Sequence, residues 1–151
     1  MKLAEIFSNY YTVRKELVAA VERLTPDQLV FTAPNHPNSI ARLLVHIAET
    51  EYGWLDLVAL KKETVFDSSR FEKISALPEI LKLLEFHFGE FSRYLENEDL
   101  DDWDRVFYAL PESDEKVSKR WLVWHVVEHQ ARHRGQIFLL MRMQNLEVPN
   151  V

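Results

Sequence analysis

The sequence predicts an all-α fold, a bundle of four long helices with a long final connection. Three observations predict it. Apolar residues recur at steps of three and four over four separate stretches, the spacing of one helix face. No stretch of any length alternates apolar and polar as a half-buried strand does. Glycine occurs only 3 times in 151 residues, too few for a turn-rich β fold.

The first helix is expected from about Leu3 to Leu24, with Leu3, Ile6, Tyr10, Val13, Leu17, Val21 and Leu24 on its buried face. Thr25 then caps a short helical turn through Leu29, with Pro26 at its first position, where the missing N–H is not needed. Thr32 to Asn38 is a loop, because Pro34 and Pro37 forbid a continuous helix. Ser39 is the N-cap of the second helix. Ile40, Leu43, Leu44, Ile47, Trp54, Leu55 and Val58 form its buried face, and the pattern fades near Lys62. Thr64 to Lys73 reads as a loop.

The third helix starts near Ser75 or Ala76, with Pro78 in its first turn and a stripe from Leu77 to Leu95. An acidic, irregular stretch from Asn97 to Lys116 follows, with a short extended piece around Arg105 to Leu110. A connection of that length in a small protein points to a functional role. The fourth helix runs from about Ser118 to Gln144. The whole of residues 1–151 is expected to form one domain, and a chain of this length buries a sizeable core without staples.

Composition narrows the function. Hydrophobic residues make up 47% and charged residues 28%, the balance of a globular protein. The net charge is −6, from 24 acids and 18 bases, which argues against nucleic acid as a partner. With no cysteine, disulfides, thiolate metal ligands and a cysteine nucleophile are excluded. The N-terminus lacks the apolar stretch of a signal peptide, and no run of about 18 apolar residues is present. These features lead us to expect a cytoplasmic protein that spans no membrane.

The chemistry is concentrated on the fourth helix. Its buried stripe is Leu122, Val126, His129, His133, Ile137 and Leu140. At about 100° per residue, His129 and His133 lie near the middle of that stripe, where leucine is expected. Burying two histidines is unfavourable unless each finds a partner. A four-residue step sets both rings on one face, roughly 6 Å apart along the axis, within reach of one metal ion. The alternative is a pair of core histidines, each bonded to a carboxylate or a carbonyl.

His46, between Leu43 and Ile47 at the edge of the second helix's stripe, adds a third candidate ligand. Bundles draw their ligands from facing helices, and three histidines form the ligand set of some catalytic zinc sites. Taken alone, His46 reads as an ordinary half-buried histidine.

Other residues carry weaker signals. His125, one turn before His129, and His87, near the inner face of the third helix, are candidate catalytic groups; the plainer reading of His125 is a boundary histidine. His36, in a proline-rich loop, is expected to be exposed. Glu49 and Glu128 neighbour candidate ligands in sequence but point away from them on the wheel. Gly135 costs its helix about 1 kcal/mol relative to alanine, for which close helix approach is one reason. Trp54, Trp121, Trp124 and Tyr52 read most simply as core or interface aromatics; the sharper alternative is a substrate wall.

The segments Ser39-Ile40-Ala41-Arg42-Leu43-Leu44-Val45-His46-Ile47-Ala48 and Trp124-His125-Val126-Val127-Glu128-His129-Gln130-Ala131-Arg132-His133-Arg134-Gly135-Gln136-Ile137 resemble the DinB/YfiT-like family over nearly the whole chain. The first is similar to its S-x-x-x-L-x-H-I helix, the second to its H-x-x-x-H-x-x-x-H-R-G-Q-I helix. The resemblance implies a four-helix bundle with a long crossover connection. It implies a metal triad of His46, His129 and His133, usually holding zinc or nickel, and a homodimer.

Some relatives are thiol-dependent S-transferases or isomerases using thiols such as bacillithiol or mycothiol, and others have no known activity. The leading expectation is therefore a metal-dependent transferase that activates a low-molecular-weight thiol as co-substrate for a small-molecule substrate. The alternatives are a metal-dependent hydrolase, in which water takes the open position, and a non-catalytic metal-binding or small-molecule-binding module.

Overall fold

A computed structural model describes residues 1–150 of the chain. Its elements are α1 (Leu3–Ile6), α2 (Ser8–Val21), α3 (Pro26–Val30), α4 (Ile40–Tyr52), a π-helical continuation (Gly53–Ala59), α5 (Leu77–Asn97), β1 (Phe107–Ala109), β2 (Lys116–Ser118) and α6 (Lys119–Met143). The expected first helix is α1 and α2, broken at Phe7, whose φ and ψ are −99° and 36°. The break shifts the helix phase. Phe7 is buried, whereas Ile6, expected on the buried face, is 39% exposed.

Local signals set the other boundaries. Thr25 and Gln28 form a reciprocal capping box, with Pro26 in the first turn of α3. Ser39 Oγ accepts the Arg42 N–H at 3.1 Å and starts α4. Ser118 Oγ does the same for Trp121 N at 3.1 Å and starts α6. The second helix reaches nearly the expected end, but its last seven residues, from Gly53, wind as a π-helix. Four consecutive residues there, Leu55 to Val58, are buried. A helix end follows at Lys61, in the left-handed region with φ 50°. The 64–73 stretch is a loop apart from one 3-10 turn, and it sends Phe71 into the core.

The buried apolar side chains form one cluster. α4 packs on α5 and α6, α2 packs on α6, and α1 packs on α5. Thus α6, which follows α5 in sequence, packs chiefly on α4 and α2. The connection between α5 and α6 crosses the bundle, as the long crossover requires. It contains an antiparallel hairpin in which Tyr108 pairs with Val117. The expected extended piece is β1; its partner β2 lies just before the helix start. The buried Lys119 ammonium pins this connection. It donates to Asp102 Oδ1 at 2.6 Å, to the Asp99 carbonyl at 3.3 Å and to the Glu98 carboxylate.

A buried polar clamp joins the four long helices. Arg14 of α2 donates to Glu51 of α4, to the Leu84 carbonyl of α5 at 2.8 Å and to Gln130 Oε1 of α6 at 2.6 Å. Tyr10 donates to the same Glu51 oxygen at 2.5 Å, and Gln130 returns a bond to the Tyr10 carbonyl at 3.0 Å. Burial pushes the Glu51 carboxyl pKa up, and the Arg14 charge opposes it. The clamp fixes rotation and register where α4 and α6 meet, because polar groups buried this deeply tolerate no slippage.

Candidate metal centre

The clamp residues Glu51 and Gln130 are the chain neighbours of Thr50 and His129. Holding them aligns the faces of α4 and α6 that carry the candidate ligands. His46 Nε2 lies 3.2 Å from His129 Nε2, which lies 3.0 Å from His133 Nε2. One ligand atom from each residue falls within 4.8 Å of the other two. Three nitrogens at about 2.0–2.1 Å from a tetrahedral ion stand about 3.3 Å apart. The three histidines are near enough to hold one ion.

The tautomers favour the same conclusion. His46 Nδ1 faces Glu49 Oε2 at 3.1 Å, and His133 Nδ1 faces Gln136 Oε1 at 2.6 Å. Each oxygen is an acceptor, so each Nδ1 carries the proton and each Nε2 presents a lone pair. The two lone pairs converge on His129 Nε2, which has at most one hydrogen to offer. A cation satisfies all three nitrogens together. This donor arrangement, with outer nitrogens tied to oxygen acceptors, fits a divalent ion.

Burial, with smaller contributions from His133, His46 and His125, pushes the His129 pKa down to about 3. Burial also lowers His133, against the opposing bond to Gln136. Both rings are therefore held neutral, the state a metal ligand needs.

The remaining histidines divide clearly. His125 stacks on Trp121 at 4.7 Å, meets Trp54 edge-on at 5.1 Å and lies 5.8 Å from the His129 ring. It stands beside the triad, and burial lowers its pKa. His87 lies apart from the cluster, with its ring against Phe86, Tyr52 and Phe71, and burial lowers its pKa too. His36, expected to be exposed, is half-buried, with Nδ1 turned to the backbone at Asn38.

Three site residues escaped the sequence reading. Glu49 was expected to point away from His46, yet it bonds to its Nδ1. Residues three apart on a helix are neighbours, and the glutamate chain is long enough to reach back. Gln136 stands in the same relation to His133. Thr50, one turn beyond His46, brings Oγ1 to 3.2 Å from His129 Nε2. Glu128 does point away from His129, pairing instead with Arg132.

Close helix approach does not explain Gly135, since a Cβ built there meets nothing within 4 Å. The tryptophans are not core residues as a group. Trp121 is 45% exposed and Trp124 62%, while Tyr52 is buried and Trp54 half-buried.

A cavity of about 440 Å³ adjoins the triad on the His46 side. His46, Glu49 and Thr50 form its polar end. Its apolar walls include Trp54 and Val58 from the π-helical segment, Phe66 from the following loop, and Leu110 and Pro111 from the hairpin. The long connection therefore reaches the site and supplies part of its wall.

The comparisons with known proteins agree with the fold. A DinB-like protein from Bacillus cereus ATCC 10987 has a similar fold, with a TM-score of 0.74. The two sequences are 21% identical, and the match covers 97% of this chain and 96% of that one. No curated protein matches the sequence. Among the described residues, no helix is long and apolar enough to cross a membrane. The sequence model of the DinB family matches residues 1–151, and the chain belongs to that family.

Proposed function

We propose that this DinB-family protein holds one divalent ion, zinc or nickel, on His46, His129 and His133 and activates a low-molecular-weight thiol for transfer to a small electrophile. The observation that carries the reading is the convergence of three Nε2 atoms with two of the opposite ring nitrogens engaged by Glu49 and Gln136. Imidazole ligands of this kind suit zinc and nickel. Such an ion supplies positive charge that lowers the pKa of a thiol brought to it. The chain has no cysteine, so the sulfur must come from the co-substrate.

The protein's own groups do the rest. Glu49 and Gln136 hold the His46 and His133 rings in one tautomer. Thr50 presents a hydroxyl between the triad and the cavity. His125, neutral beside His129, is the candidate proton acceptor for the thiol. His87 packs among aromatic rings away from the triad, which supports His125 over it. The same neutral His125 would serve a water nucleophile, and this supports a hydrolase as the second reading.

The net charge of −6 supports a small-molecule substrate over nucleic acid. Exposed apolar side chains near both ends of α6, Trp121 and Trp124 at one and Leu139 and Met143 at the other, support a homodimer. We read the protein as cytoplasmic, which the absence of cysteine from the chain supports.

The test is thiol-dependent consumption of an electrophile such as monobromobimane by zinc-loaded or nickel-loaded protein. We expect a rate above that of the free thiol, lost in His129→Ala. No acceleration across a panel of low-molecular-weight thiols would sink the transferase reading. Turnover of an ester or lactone without thiol would establish the hydrolase instead.

A further inference from the structure

The cavity beside the triad is polar at one end and apolar over the rest. At the triad end stand His46 and Thr50, the latter with its hydroxyl 3.2 Å from His129 Nε2. A helical threonine often turns its hydroxyl back to the carbonyl one turn earlier. Thr50 reaches across to α6 instead, and its neighbour Glu51 is locked by Tyr10 and Arg14. The polar end is thus fixed by the buried clamp. Away from it, Trp54, Val58, Phe66, Leu110 and Pro111 present carbon surface.

Charge narrows the occupant further. Among the described residues, Glu49 is the one ionisable carboxylate of the lining, and no lysine or arginine lines the cavity. Its Oε2 is already engaged by His46 Nδ1 at 3.1 Å and by Arg42 Nη1 at 2.8 Å. An anionic guest would face a carboxylate with no cation in the wall. A cationic guest would have to draw Glu49 from two existing partners. An uncharged guest meets neither penalty and covers apolar surface, as small-molecule sites of this size do.

We propose that this cavity binds the acceptor substrate, and that the acceptor is an uncharged small molecule with an apolar or aromatic body whose polar, reacting end lies at Thr50. The assignment rests on the metal-centre reading for what the reacting end meets. The preference for a neutral guest is a property of the metal-free cavity, since an ion on the triad would add positive charge at its polar end.

The experiment uses full-length protein freed of metal with a chelator, with zinc uptake measured separately. It compares three unreactive probes of like size: methyl phenyl sulfone (neutral), benzenesulfonate (anion) and phenyltrimethylammonium (cation). Binding is followed by NMR at the Trp54 indole N–H. We expect the neutral probe to move that resonance saturably and the two ions to bind at least tenfold more weakly. Leu110→Glu, on the hairpin wall, should weaken the neutral probe about tenfold. Leu110→Lys should raise the affinity for benzenesulfonate.

Equal affinities for the three probes, or a Trp54 resonance that none of them moves, would overturn the proposal. Protein that takes up no zinc but still prefers the neutral probe would overturn the metal reading and leave the cavity assignment standing.

Discussion

At the scale of single residues, the site depends on which ring nitrogen is free. Glu49 and Gln136 set that choice for His46 and His133, and burial keeps His129 neutral. Partners of this kind are typically worth 10–100-fold in metal affinity. Glu49→Gln should therefore weaken zinc binding by about that factor in competition with a chelator, with the fold intact by circular dichroism. Unchanged affinity would remove Glu49 from the centre.

The His129 shift also fixes the sign of a pH effect in metal-free protein. Its folded pKa is about 3, below the ordinary 6.5. Between those values the unfolded chain takes up a proton that the folded chain refuses, so acid favours unfolding. The contribution of His129 to stability is complete above about pH 6.5 and is lost at about 1.4 kcal/mol per pH unit on acidification toward pH 3. Urea unfolding at pH 7.5, 6 and 5 should show a steeper loss for the native chain than for His129→Gln. Parallel slopes would contradict the shift.

The triad was legible because its spacing is simple. His129 and His133 sit four apart on an apolar stripe, and the family motif adds His46. Glu49 was missed because projection on a wheel ignores side-chain length. Thr50 follows His46 at the same four-residue step that pairs the histidines, and that rule, applied once more, finds it.

At the scale of elements, capping chemistry made most boundaries readable. Thr25, Ser39 and Ser118 each cap the helix they were expected to start. The π-helical segment was not readable, because over seven residues a period near 3.6 and a wider one place much the same side chains inward. Strand β2 was hidden for a related reason: three residues are too few to show alternation.

The clamp was also invisible in sequence, since Arg14, Glu51 and Gln130 lie far apart along the chain and look like surface residues. It makes a clear prediction. Removing one partner leaves the other buried and unpaired, so Arg14→Met or Glu51→Gln should destabilise the protein by about 3–5 kcal/mol in urea unfolding. A loss below about 1 kcal/mol would show that the network is not closed to water.

At the scale of the whole molecule, the crossover places α6 against both α4 and α2 and brings the hairpin over the cavity. Its existence was legible in the length of the 97–116 stretch, but its destination was not, because nothing in an acidic irregular segment says what its tip touches. The exposed face of α6 is the other whole-molecule feature. Trp124 at 62% and Leu139 at 58% exposed are unusual on one helix surface. Trp124→Asp with Leu139→Asp should convert a homodimer into a monomer in sedimentation equilibrium, with the helical content kept. A native chain that sediments as a monomer at tens of micromolar concentration would contradict the dimer.

The central claim is that three histidines from two helices hold one ion. It is tested most directly by metal content per chain, measured on untagged protein after equilibration with zinc or nickel and gel filtration, beside the single variants His46→Ala, His129→Ala and His133→Ala. The account predicts about one ion per native chain and a large loss in each variant. A native chain that retains no ion, or variants that retain it as well as the native chain does, would contradict it.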